Sequence, residues 1–192
     1  MTCVSDCSVA DPSSDLRDLV SSHRPTSPRE TEAKQRMLVE LGRLPEPANE
    51  HADPTHFTAS ALVVGARGTV LHLHKRLGRW MQPGGHIDAG ETPPAAARRE
   101  AEEELGLEVR HPEEGPRLLH LDVHEAALGH THLDLRYLLF GPVDDPHPPP
   151  GESPEARWCS WDEATGLADE ALVSALPIAR GAWEALSEVG PA

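Results

Sequence analysis

Cysteine is scarce in this chain, with Cys3, Cys7 and Cys159 the three present among 192 residues and no paired CxxC unit. An odd, sparse set argues against a disulfide framework and against a zinc ribbon, so the thiols are expected to be reduced. Long apolar runs are missing too. No stretch approaches the ~20 residues of a membrane span, and the opening MTCVSDCSVADPSS has neither a basic segment nor an apolar one. Neither membrane insertion nor a secretory signal is expected, and the chain reads as cytoplasmic. Basic charge is also short: 17 Lys and Arg face 32 Asp and Glu, for a net charge of −15. That balance argues against a nucleic-acid polymer as partner, because duplex binding draws on clustered Lys and Arg to displace counterions. A small phosphate-containing substrate stays open, provided bound cations invert the local field around the acids.

What is present suits one domain with an appendage, long enough to bury a core. Residues 1–12 read as disordered, being polar and without periodicity. Leu16, Leu19 and Val20 suggest a short helix, and a second is expected at about 28–41. There Ser27 and Glu30 form a capping-box pattern, Pro28 takes the first helical position, Ala33, Met37, Leu38 and Leu41 line one side, and Gly42 ends it. The pair reads as a helical extension over residues 1–50 bracing a main domain over 56–188. Residues 57–64 read as a buried strand and 70–74 as its antiparallel neighbour. A strand is expected at 107–109, two more at 117–124 and 131–140, and a short one at 158–161. Helical segments follow at about 162–166 and 170–187, with Pro177 interrupting or starting the last. Strands alternating with a central and a C-terminal helix indicate an α/β sandwich with a mixed sheet.

Several polar groups admit two readings. His72 and His74 share a strand face, which reads better as half exposed than as metal-binding. Lys75, Arg76 and Arg79 either reach a substrate phosphate or form a solvated loop. Trp80 is a base-stacking surface or a core anchor, the anchor being favoured. His120, Asp122 and His124 share one face, as do His132, Asp134 and Arg136. These two stripes make either a pocket floor or, preferably, the wet side of an antiparallel sheet. Residues 141–154 are a stiff Pro-rich loop of the length that is usually functional or disordered.

The chemistry concentrates in residues 85–107, GHIDAGETPPAAARREAEEELGL. Pro83-Gly84-Gly85 reads as a turn where glycine permits positive φ or close approach of a ligand. Thr92 as N-cap, Pro93 behind it and Gly106 past the end bound a helix at about 93–105, with Ala97, Ala101 and Leu105 on its apolar side. At an i, i+3, i+4 spacing, Glu100, Glu103 and Glu104 share one face, where like charges repel by roughly 0.2–0.5 kcal/mol per pair. Either this is a solvated acidic face or a divalent cation offsets the repulsion.

The order Gly85, five residues, Glu91, seven residues, then Arg99-Glu100-Ala101-Glu102-Glu103-Glu104-Leu105-Gly106-Leu107 resembles the signature of the Nudix hydrolase superfamily. The one departure is a small Ala101 where a bulkier apolar residue is common. The resemblance implies an α/β/α sandwich and cleavage of a diphosphate linkage with Mg²⁺ or Mn²⁺. It implies Glu100, Glu103, Glu104 and the Gly85 carbonyl as metal ligands, with Glu91 and Arg99 holding loop and helix together. Glu103 or Glu104 is a candidate general base. So is Glu152, six residues before Trp158, in competition with Glu155 and Asp145. Arg76, Arg79, Trp80, His132, Asp134 and Arg136 are the candidate substrate contacts. A non-catalytic ligand-binding module and an isopentenyl-diphosphate-isomerase-like enzyme are the alternatives, the latter without a convincing catalytic cysteine. Homodimers are common in the family, although no exposed stripe compels one here.

Overall fold

The computed structural model describes residues 12–187. The expectations for residues 1–11, Cys3 and Cys7 included, lie outside the described residues. Helices α1 (Pro12–Ser22) and α2 (Pro28–Glu40) come first, then strands β1 (Thr55–Gly65), β2 (Gly68–His74), β3 (Arg79–Met81) and β4 (Gly84–His86). Helix α3 (Pro93–Leu105) follows, then β5 (Arg117–Glu125), β6 (Thr131–Phe140), β7 (Ala156–Cys159), α4 (Trp161–Leu167) and α5 (Glu170–Ser187). The strands form one mixed sheet in the order β3-β2-β1-β6-β5. β1 and β6 run parallel, with His56 beside His132 and Val64 beside Phe140. The far edge of β1 is shared, its start pairing with β4 and its end turning back antiparallel into β2. β7 closes against β2.

Period-two alternation along β1 sorts its side chains to two helical layers. Phe57 and Ala59 join Leu133, Leu135 and Tyr137 of β6 against Ala96 and Ala97 of α3. Further along that face, Ala61, Val63 and Leu139 meet Ala101 and Leu105. Leu62, Val64, Leu71 and Leu138 point the other way, onto Leu172, Ala175, Leu176 and Ala179 of α5. Each fully buried leucine here contributes roughly 1.5–3 kcal/mol. The expected α/β/α sandwich is therefore present, and the N-terminal helices share its first core, since Leu16, Val20, Ala33, Met37 and Leu41 pack in the same cluster as Phe57.

The local readings need five corrections. Residues 107–109 make no strand, and the pairing there is one bridge between Arg110 and Phe140. The strand expected at 158–161 is β7, set back to Ala156–Cys159, because Ser160 instead caps α4 in a full capping box with Glu163. Pro177 neither starts nor breaks α5. Two strands, β3 and β4, occupy the stretch read as loop and turn.

The fifth concerns Glu30. Ser27 Oγ does accept the Glu30 N–H at 3.1 Å, but the Glu30 carboxylate does not return to Ser27. It accepts the Thr26 N–H at 2.6 Å and, across 91 residues of sequence, the Leu121 N–H at 3.1 Å. β5 is the sheet edge, so a fully buried carboxylate on α2 satisfies a strand donor that would otherwise be orphaned. Burial alone would raise the Glu30 pKa, yet hydrogen bonds from His23 and Thr26 outweigh it and bring the group down to about 2. A depressed folded-state pKa stabilises fully above the unfolded value and is lost as pH falls through the folded one. We expect Glu30→Gln to cost about 2–4 kcal/mol at neutral pH in chemical denaturation, through loss of charge-assisted bonds. The gap to wild type should narrow as pH falls from about 4.5 toward 2.

Candidate active site

Helix α3 owes its shape to alanine content, to Pro93 in its first turn and to Gly106, which ends it in the left-handed region at φ 60°. Thr92 takes the N-cap position without a side-chain bond, its carbonyl alone accepting the Ala96 N–H at 3.0 Å. A side chain at Gly106 would also strike the His147 carbonyl at 2.0 Å, where the Pro-rich loop crosses the helix end. With Ala96, Ala97, Ala101 and Leu105 turned into the core, Glu100 and Glu104 face strand β4.

That strand explains its own glycines. Neither Gly84 nor Gly85 has positive φ, so the expected turn geometry is not the reason for them. Close approach is. A Cβ on Gly85 would lie 2.6 Å from the Glu100 carboxyl, and one on Gly84 would lie 2.6 Å from the Ser60 Cα. Stripped of side chains, β4 lets Glu100 lie against its backbone while Glu104 accepts the Gly84 N–H at 2.9 Å. Glu103 is more open, its side chain 57% exposed.

Arg99 binds this arrangement together. Its Nε and Nη2 donate to the two oxygens of Glu91 at 3.1 and 3.0 Å, the pairing expected between loop and helix. Nη2 also donates to the His86 carbonyl at 2.9 Å, and Nη1 reaches Glu100 at 2.8 Å and Glu103 at 3.2 Å. Even so, burial raises the Glu100 pKa and pushes Glu104 to about 8, with the charges of Glu100, Glu152 and Glu103 adding to the rise against the Gly84 hydrogen bond. Buried carboxylates at Glu100 and Glu104 that resist ionisation, with the neighbouring acids adding repulsion, make an all-oxygen donor set that suits a hard divalent cation such as Mg²⁺ or Mn²⁺.

The remaining candidates separate. Glu152 is close enough to act on Glu104, whereas Asp145 is tied to Arg67 at 2.7 Å on the surface and Glu155 is exposed. Arg76 and Arg79 are exposed, and Lys75 donates to the Gly151 carbonyl, tying its loop to the Pro-rich one. Trp80 packs on the core beneath α5 with the Arg157 guanidinium 5.1 Å above its ring, which supports the anchor reading over base stacking.

Asp134 and Arg136 overturn both readings of the polar stripes. Each is 2% exposed, buried rather than wet or open to a ligand. Asp134 accepts from Ser60 at 2.7 Å, Thr58 at 3.2 Å and Arg136 at 3.1 Å. Arg136 donates onward to Asp122 at 3.1 Å and to the Ala171 carbonyl of α5 at 2.9 Å. Every strong group is partnered within the protein, so a substrate contact is ruled out for these two in this conformation. His132 stays partly exposed, in different company described below.

His72 departs from the half-exposed position expected for it. It is buried, its Nε2 3.7 Å from Glu104 and its pKa held down to about 4 chiefly by burial, so a neutral imidazole borders the site. Its signal was long-range, since β3 and β7 flank β2.

A family model described as the NUDIX domain matches residues 54–180. The chain belongs to the Nudix family. A hydrolase of the NUDIX family from Clostridium perfringens is 28% identical over 68% of this chain and 97% of its own, with a TM-score of 0.57. A MutT NUDIX hydrolase from Burkholderia pseudomallei is 26% identical over 64% and 96%, with a TM-score of 0.54. The Mycobacterium tuberculosis protein named "Putative 8-oxo-dGTP diphosphatase 2" is 56% identical over 56 residues, which is 25% of this chain and 40% of that protein. The chain thus spans about 40% of the length of the curated relatives it matches.

The Nudix match contains Glu91, Arg99, Glu100, Glu103, Glu104 and Glu152, and α1 and α2 precede it. The two glycines of β4 should respond differently to substitution. Gly84→Ala meets backbone and should lower stability by about 1–3 kcal/mol. Gly85→Ala meets only the far end of Glu100 and should change the melting temperature little. Thermal melts of the two variants beside wild type check this contrast.

Proposed function

We propose that this Nudix chain is a metal-dependent hydrolase cleaving the diphosphate bond of a nucleoside diphosphate joined to another group, or of a related small phosphate compound. The placement of Glu100 and Glu104 against the glycine strand β4, with Glu103 linked to Glu100 through Arg99, carries the reading. In it, these three carboxylates and the Gly85 carbonyl hold Mg²⁺, with Mn²⁺ as a substitute. A bound divalent ion supplies charge neutralisation at the phosphate and lowers the pKa of a coordinated water.

The side chains then divide the work. Arg99, saturated by Glu91, Glu100 and Glu103, positions the carboxylates so that they need not reorganise during reaction. Glu103 or Glu104 takes the proton from the attacking water, or Glu152 does so from the Pro-rich loop. Arg76 and Arg79 stand exposed before β4, where a guanidinium suits a substrate phosphate. The domain is taken as residues 56–188 with residues 1–50 as a brace, the substrate as a small molecule rather than a nucleic-acid polymer or a membrane surface, and the compartment as the cytoplasm. No helix among the described residues is long and apolar enough to cross a membrane.

The isomerase alternative loses ground on an observation of its own. Cys159 is buried in the core under α5 and its thiol pKa is raised by burial, the reverse of what an activated cysteine needs. Products decide the matter. Full-length protein with Mg²⁺ or Mn²⁺ is offered nucleotide sugars, dinucleoside polyphosphates, ADP-ribose and nucleoside triphosphates including 8-oxo-dGTP, with phosphorus NMR reading the products. Wild type should cleave at least one diphosphate, and Glu103→Gln should lose roughly 10²–10⁴-fold in turnover while melting like wild type. Equal turnover in the variant would overturn the assignment, and a ligand bound without cleavage would favour the non-catalytic ligand-binding module.

A further inference from the structure

Five of the twelve histidines gather on the sheet face that turns away from α3. The strand registers bring them there. His56 of β1 lies beside His132 of β6, His132 opposite His124 of β5, and His86 of β4 opposite Thr58. Side chains alternate along a strand, so with Phe57 and Leu133 facing α3, His56 and His132 face the other way. The His56 ring centroid lies 5.1 Å from that of His86, 5.3 Å from His130 and 5.1 Å from His132.

We propose that His56, His130 and His132 form a three-imidazole site for a zinc-class divalent ion, separate from the carboxylate site on α3. One nitrogen from each lies within 4.8 Å of the others. Ligands about 2.0–2.1 Å from a tetrahedral ion stand roughly 3.3 Å apart, so modest ring rotations close the set. His56 is already arranged as such a ligand. Its Nδ1 is 3.1 Å from the Asp53 carbonyl, and because a carbonyl only accepts, Nδ1 carries the proton and Nε2 is left with a free lone pair. That Nε2 is buried, on a residue 0% exposed, and has no hydrogen-bond partner. Metal-ligating histidines commonly donate their other ring nitrogen to a carbonyl in this way.

The alternatives are weaker on chemistry. An oxyanion would need protonated imidazoles, yet burial lowers the pKa of His56 and takes His132 down to about 4, which suits a neutral ligand instead. Mg²⁺ takes oxygen donors and imidazole suits zinc, so the two sites differ in kind. Three imidazoles leave a fourth tetrahedral position, which the partial exposure of His130 and His132 opens to water or an anionic ligand.

The test is equilibrium dialysis of the full chain against Zn²⁺ in saturating Mg²⁺, with metal analysis and melting curves. One zinc per chain is expected, raising the melting temperature, and Co²⁺ in its place should give the visible bands of tetrahedral coordination without a thiolate transition. His132→Ala and His130→Ala should each weaken zinc at least about tenfold. His130 precedes β6 and is partly exposed, so its variant keeps the test independent of core folding. Zinc should persist in Glu100→Gln and in a Cys3→Ser, Cys7→Ser variant. Absence of stoichiometric zinc, affinity unchanged in both histidine variants, or zinc lost in Glu100→Gln or the cysteine variant would overturn the proposal. None of these outcomes depends on hydrolytic activity.

Discussion

Arg99 is the side chain on which the acidic site depends. Carboxylates crowded on one helical turn would spread into solvent if left alone, because their repulsion falls with distance and water solvates each one. A single guanidinium with five donors in a fixed plane counters that tendency. It grips Glu91 with two bonds, steadies Glu100 and Glu103, and takes the His86 carbonyl of β4. Hydrogen bonding to Glu91, followed by that to Glu100, outweighs the cost of burial and raises its own pKa. Loop, strand and helix are thereby held in one register, and lysine, with a point charge in place of a fork, could not reproduce the pattern.

Geometry on the strand side is as demanding. β4 approaches β1 so closely that a Cβ at Gly84 would strike the Ser60 and Ala59 backbone, while one at Gly85 would meet the Glu100 carboxyl. Bare backbone there lets Glu104 accept the Gly84 N–H and lets Glu100 lie flat on the strand. The opposite sheet face solves another problem of buried charge. Asp122, Asp134 and Arg136 are withdrawn from water but fully interlinked, and Arg29 of α2 joins them by donating to Asp122 at 3.1 Å. Removing one member of such a network costs more than the network contributes net, since the partners are left charged and unpaired. The N-terminal helices are consequently tied to the sheet at Glu30 and Arg29, with apolar packing between, which is what a brace requires.

Legibility of the chain followed the range of the interactions involved. Helix α3 could be read from Pro93, Gly106 and the alanine spacing, and the Glu91 to Arg99 pairing from the motif, because each depends on neighbours within a few turns. β5 and β6 are readable from alternation, and β1 and β2 from short apolar runs bounded by glycines. Short β3 and β4 are not, since three residues carry no period and each exists only through a partner strand. Leu107 and Val109 looked like a strand because both are apolar, but they are buried without a ladder. Polar alternation at Asp134 and Arg136 suggests water or ligand, and the partners that decide otherwise are distant in sequence: Thr58 and Ser60 of β1 for Asp134, and Ala171 of α5, some 35 residues away, for Arg136.

By itself, then, the sequence determined the order of the long elements, the acidic face of α3 and its match to the Nudix signature, all of them local in chain spacing. Tertiary structure alone decided which polar groups are buried, why β4 needs glycine, that Glu152 rather than Asp145 approaches Glu104, and that histidines as distant as His56 and His132 meet. Those outcomes depend on which strand lies beside which, and on what helix covers them, and neither is written in any short window of residues.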